Sequence, residues 1–104
     1  MKFPKTVLIG GVQYKVIFDP KVKGGEFYWS KHIMKVEKGL SDERQFAILL
    51  HEICEAIMVD NFMRYQKCID GNIHNGDYIF NFKHDAFEIY TSTLAGILYP
   101  LITK

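Results

Sequence analysis

Phe46 to Met58, FAILLHEICEAIM, sets His51, Glu52 and Glu55 inside an almost unbroken apolar run. At about 100° per residue, a helix over this stretch puts Phe46, Leu49, Ile53, Ala56 and Ile57 on one broad side and stacks His51 against Glu55 one turn later. Ile48, Met58 and Val59 flank the polar trio, so the helix is expected to be buried nearly all round. An imidazole and two carboxylates buried without partners would each cost several kcal/mol. A divalent metal is the compensation that suits all three.

The chain has 104 residues, enough for one core, and a single domain over 1–104 is expected. Hydrophobic residues at 48% and aromatics at 14% place it among folded globular chains. Thirteen Lys and Arg against twelve Asp and Glu leave a formal charge of +1, which gives no field to gather nucleic acid or an anionic membrane. Lys2, Lys5, Lys15, Lys21, Lys23 and Lys31 lack interleaved arginine and read as a solvated face. Pro4 and Lys5 interrupt MKFPKTVLIGG, so it does not make a signal peptide, and the expected compartment is the cytoplasm. Cys54 and Cys68 fit no CxxC spacing and read as free thiols, Cys54 as a small hydrophobe on the central helix.

Thr6 to Phe18 reads as two strands about Gly10-Gly11, a dipeptide suited to a tight hairpin. Asp19-Pro20 breaks the second strand, and Lys21 to Gly25 forms a basic loop. Glu26 to Val36 predicts a second hairpin turning near Ser30 to His32, with His32 a surface turn residue. Ser41 followed by Asp42 and Glu43 is a helix start, a hydroxyl cap and then carboxylates at the positive end of the dipole. The helix is expected to run from Asp42 to about Arg64.

Tyr65 to Phe82 has no helical period and carries turn signals at Asp70-Gly71-Asn72 and Asn75-Gly76-Asp77, which predicts a short hairpin or an ordered loop. Lys83 to Tyr99 reads as a second helix ended by Pro100. Its apolar residues cover most of its circumference, so it too is expected to be largely buried, with His84, Glu88, Thr91 and Ala95 along one stripe. The fold class is therefore α+β, a small antiparallel sheet of N-terminal hairpins packed on a central helix and a C-terminal helix.

Four-residue spacing puts two ligand atoms on one side of a helix, which adjacent tetrahedral zinc positions require. The residue after the first ligand is turned away from that pair but can reach a water on the metal, the logic of HExxH peptidases. Here the motif is HExxE. Catalytic zinc accepts two His and one Glu, so His51 and Glu55 are candidate ligands and Glu52 the candidate general base toward a zinc-bound water. His84 is the best candidate for the third ligand, because it opens a helix able to pack antiparallel to the first; His74 is the runner-up, and Glu88 could be a ligand or an outer acceptor. Tyr78, Tyr65 or a non-ligating His74 could donate to an oxyanion. Against this stands an ordinary i,i+4 pair of His51 and Glu55 with Glu52 merely solvated.

The order of TVLIGGVQYKV, a β segment beginning GEF, GLSDER and LLHEICEAI resembles the minimal zinc metallopeptidase-like proteins of phages and bacteria, broadly the ImmA/IrrE-like and SprT-like HExxH group. The resemblance covers nearly the whole chain in layout, with LLHEICEAI its specific part. It implies a zincin-like minimal domain in which His51 and Glu55 bind zinc and Glu52 is the base, acting on a peptide or protein substrate. Glu55 stands where that group usually has His. Such a departure also fits an inactive metal-binding or partner-binding accessory protein of phage or prophage type.

Overall fold

The computed structural model describes residues 1–60, 64–69, 72–80 and 84–103, with side chains placed for 1–59 and 85–103. The described elements run β1 (Thr6–Ile9), β2 (Val12–Asp19), β3 (Gly25–Tyr28), β4 (Ile33–Glu37), α1 (Asp42–Asp60), β5 (Arg64–Ile69), β6 (Asn72–Phe80) and α2 (His84–Ile102). This is the expected α+β class.

Gly10 and Gly11 both hold positive φ, 57° and 80°, the backbone that a two-residue hairpin needs to match strand twist, and β1 pairs antiparallel with β2 around them. The β3–β4 hairpin forms as expected, with Tyr28 opposite Ile33 and the exposed His32 taking φ 55° in its turn.

The sheet differs from the all-antiparallel arrangement expected. Its order is β1-β2-β4-β3, and its central pair, β2 and β4, is parallel, with Val16 opposite Met34 and Phe18 opposite Val36. The loop after Asp19 carries the chain past the position beside β2, pinned by the buried Val22, so the second hairpin docks through its later strand. That leaves β3 as the outer strand, held at its start by Gly24 N–H donating to Glu37 Oε1 at 2.9 Å and by Glu37 N–H donating to the Gly24 carbonyl at 2.8 Å.

Alternation along β2 and β4 sends Tyr14, Val16, Met34 and Val36 to one face, where Leu49 and Ala56 of α1 complete the core. Met34 and Val36 are fully buried, and each such side chain contributes about 1.5–3 kcal/mol. Arg44 N–H reaches Ser41 Oγ at 3.3 Å, the anticipated cap, and Gln45 Nε2 donates to the Glu37 carbonyl at 3.1 Å, tying the first turn of α1 to the end of β4. The helix is covered along most of its length, with Ile57 left partly exposed.

Helix α1 ends at Asp60 rather than near Arg64, which is the first residue of β5 and pairs with Phe80; its backbone is satisfied across a hairpin instead of along a helix. The predicted hairpin between Tyr65 and Phe82 is thus present as β5 and β6. Asn75-Gly76-Asp77 does not turn the chain. It lies within β6, where the register slips between Gln66 and Cys68 of the facing strand, so these turn-forming residues are absorbed as an irregularity.

Helix α2 packs against α1 in the antiparallel sense, Phe46 against Tyr99 and His51 against Phe87. It continues through Pro100 to Ile102 instead of stopping before it. Proline forfeits a bond to the carbonyl four residues back, here that of Gly96, which lies in the exposed last turns where water can replace it. The expectation that α2 is largely buried fails: Phe87, Thr91 and Ala95 face α1, while Ile89, Tyr90 and Ile97 are exposed. Among the described residues, α1 covers it along one side.

Candidate metal centre

Helix α1 brings one ligand atom each from His51, Glu52 and Glu55 within 4.8 Å of one another. Glu52 and Glu55 are 5% and 8% exposed, so the group lies in the interface between α1, β3 and α2. Among the described residues this is a group that could hold a metal ion.

Its geometry is set from α2. Thr91, 1% exposed, has its Oγ1 3.1 Å from the Phe87 carbonyl and 3.2 Å from that of Glu88, to which its single O–H donates. The oxygen lone pairs then accept the Nδ1–H of His51 at 3.2 Å. In the tautomer whose Nδ1–H donates to Thr91, Nε2 of a neutral ring presents a lone pair 3.2 Å from Glu55 Oε1. Two lone pairs cannot face each other at that distance without a proton or a cation between them. Tetrahedral ligands at about 2.0–2.1 Å from zinc lie about 3.3 Å apart, so Nε2 and Oε1 already have the separation of neighbouring ligands. The edge of Phe87, 4.8 Å between ring centres, holds the imidazole from the side.

Without metal the proton takes that place. Burial opposes the His51 imidazolium most strongly, but the hydrogen bond and charge of Glu55, with the charges of Glu52 and Glu88, outweigh it and raise the His51 pKa above the usual histidine range. A raised folded pKa stabilises the fold fully below the unfolded value, about 6.5, and that stabilisation is lost as pH rises through the folded value. In chelator, the thermal midpoint is therefore expected to fall as pH rises above about 6.5, and to fall less in His51→Gln. A midpoint that rises over the same window would contradict the pairing. Burial, and then Glu55, push the Cys54 thiol up, which fits its reading as a packing residue.

Glu52 sits against the backbone of the outer strand. A Cβ built on Gly25 would lie 2.7 Å from Ile48 Cγ2 and 3.0 Å from Glu52 Oε2, so only glycine admits this approach. A cleft of ≈ 540 Å³ opens here, lined by Gly25, Arg44, His51, Glu52, Glu88 and Thr91 among others.

Of the residues singled out by sequence, His51, Glu52 and Glu55 come together. His84 is the first residue of α2, two turns before Thr91, and its side chain lies outside the described residues, as do those of His74, Tyr65 and Tyr78. Glu88 lines the cleft. Thr91 and Gly25 were not among the predicted site residues. Thr91 did stand on the stripe with His84 and Glu88, and Gly25 opened the GEF strand, but neither type announces a site. The Thr91→Val substitution keeps the shape and removes the acceptor for Nδ1–H; metal affinity is expected to fall about 10–100-fold, the usual loss for an outer partner of a ligating histidine. Calorimetric titration of the metal-free protein measures it.

Comparison of the chain with family models, with curated proteins and with solved structures found no match.

Proposed function

We propose that this protein is a zinc-dependent hydrolase that cleaves peptide bonds. The observation that carries this reading is the paired presentation of His51 Nε2 and Glu55 Oε1 at 3.2 Å, with His51 Nδ1 held 3.2 Å from Thr91 Oγ1 and a further buried carboxylate, Glu52, alongside. His51 and Glu55 would hold the ion, and His84, at the start of the helix that already supplies Thr91, would complete a shell of two histidines and one glutamate. Zinc in such a shell supplies an acidified water and polarises a carbonyl.

The chain's own groups do the rest. Glu52 accepts a proton from the attacking water and returns it to the leaving amine; its burial against Gly25 fixes where that proton is held. Arg44 and Glu88, farther along the same cleft, give it opposite charges with which to orient a chain. The resemblance of LLHEICEAI to the minimal metallopeptidase group supports the same assignment.

Metal content is the test. Untagged protein, stripped and reloaded, is expected to bind one zinc per chain, to lose it in His51→Ala, and to cleave a denatured protein substrate only when loaded. Absence of zinc binding in the intact protein would remove the hydrolase reading and leave that of an accessory protein.

A further inference from the structure

The cleft that holds the trio extends along α1 to the first turn of that helix. Arg44, Ala47, Ile48, His51 and Glu52 line it in succession, together with Gly25 of β3 and Glu88 of α2. Arg44, Ile48 and Glu52 follow one another at four-residue steps on one stripe of the helix. The eight residues from Arg44 to Glu52 span about 12 Å along the axis. Between them the lining is small and apolar, Ala47 and Ile48. Among the described lining residues Arg44 is the one Lys or Arg; it is exposed and makes no ion pair with another described residue.

Local electrostatics do not account for a cation here. Arg44 N–H donates to Ser41 Oγ at 3.3 Å, which makes Ser41 the cap and Arg44 the third residue of the helix. At that position a capping box carries Glu or Gln, whose side chain reaches back to the cap, and the positive end of the helix dipole favours an anion. Arginine forgoes the first and opposes the second. Residues that break such local rules concentrate at functional sites. The geometry points to Arg44 as a specificity-determining residue, one that pairs with a carboxylate of the substrate several residues from the bond that is cut. A guanidinium matches a carboxylate with two parallel N–H donors. An extended peptide advances about 3.3 Å per residue, so the distance to Glu52 corresponds to about three or four residues. The carboxylate belongs to an Asp or Glu side chain or to the substrate's own C-terminus. This inference rests on the peptidase reading of the cleft, because Glu52 marks where the bond is cut.

The test separates the two. Zinc-loaded protein is given a mixture of unstructured peptides, and the cut sites are mapped by mass spectrometry. Asp and Glu are expected to be enriched about 5–10-fold at one position about three or four residues from the cut bond. The preference should vanish in Arg44→Gln and turn to Lys and Arg in Arg44→Glu. Cuts confined to that distance from the C-terminus, and abolished by amidation, identify the terminal carboxylate as the partner. In parallel, fluorescence anisotropy compares three labelled decapeptides on Glu52→Gln protein in zinc: one with a single glutamate and an amidated end, its amidated glutamine counterpart, and that counterpart with a free C-terminus. At least one of the carboxylate-bearing peptides should bind about 5–10-fold more tightly than the neutral one, and no more tightly once Arg44→Gln is added. The thermal midpoint of Arg44→Gln is expected at or above that of the wild type, which shows that it folds. Arg44-dependent binding without any cutting would keep the carboxylate site and remove the hydrolase. Cutting with neither preference, a preference that survives Arg44→Gln, or equal binding of all three peptides would overturn the role of Arg44.

Discussion

Replacing Glu52 by Gln is expected to lower peptide hydrolysis by about 10²–10⁴-fold while zinc affinity stays within a few-fold of wild type. The amide keeps the size and the hydrogen-bonding reach of the carboxylate but cannot accept a proton. Since Glu52 is 5% exposed and sits close against Gly25, the replacement is held in the same place, and loss of rate reports loss of the base rather than a moved side chain. The same variant separates two roles for this residue, because all three ligand atoms lie within 4.8 Å of one another. If Glu52 binds the metal, zinc affinity falls together with rate, and the division of labour proposed for His51, Glu55 and Glu52 is wrong.

Gly25→Ala makes the second large effect, from the opposite side of the same contact. The new methyl meets Ile48 Cγ2 at 2.7 Å, closer than real side chains come, and Glu52 Oε2 at a tight 3.0 Å, so β3 or Ile48 must shift and Glu52 must give by a few tenths of an ångström. Forced overpacking of this kind costs about 1–3 kcal/mol of stability. Moving a catalytic group by about 1 Å costs about 100-fold in rate. His51 and Glu55 are fixed by α1 and Thr91, so zinc binding should survive. Thermal denaturation, zinc titration and turnover read the three quantities separately; a variant that binds zinc and turns over at the wild-type rate would show that the approach of β3 does not position Glu52.

What could be read from sequence was what the chain decides locally. Gly10-Gly11 specified its hairpin because two positive φ angles in succession have few other uses. The trio on α1 was legible because three residues on one helix carry their mutual geometry with them. The parallel pairing of β2 with β4 was not, since every strand pattern in the N-terminal half is equally compatible with consecutive hairpins laid side by side. Thr91 and Gly25 act only through contacts made across the fold, and α2 looked buried because its apolar residues surround it, whereas α1 covers just one of its faces.

The parallel pair at the centre of the sheet also bears on the order in which the molecule assembles. Two hairpins can zip from their own turns, but joining Val16 to Met34 requires closing the loop between them, and loop closure slows folding in proportion to how non-local the contact is. Gly25 meets Glu52 where α1 packs on β3, a contact within the second hairpin and its following helix. Truncation at Met34 should therefore slow refolding in a chevron experiment, while Gly25→Ala should chiefly speed unfolding.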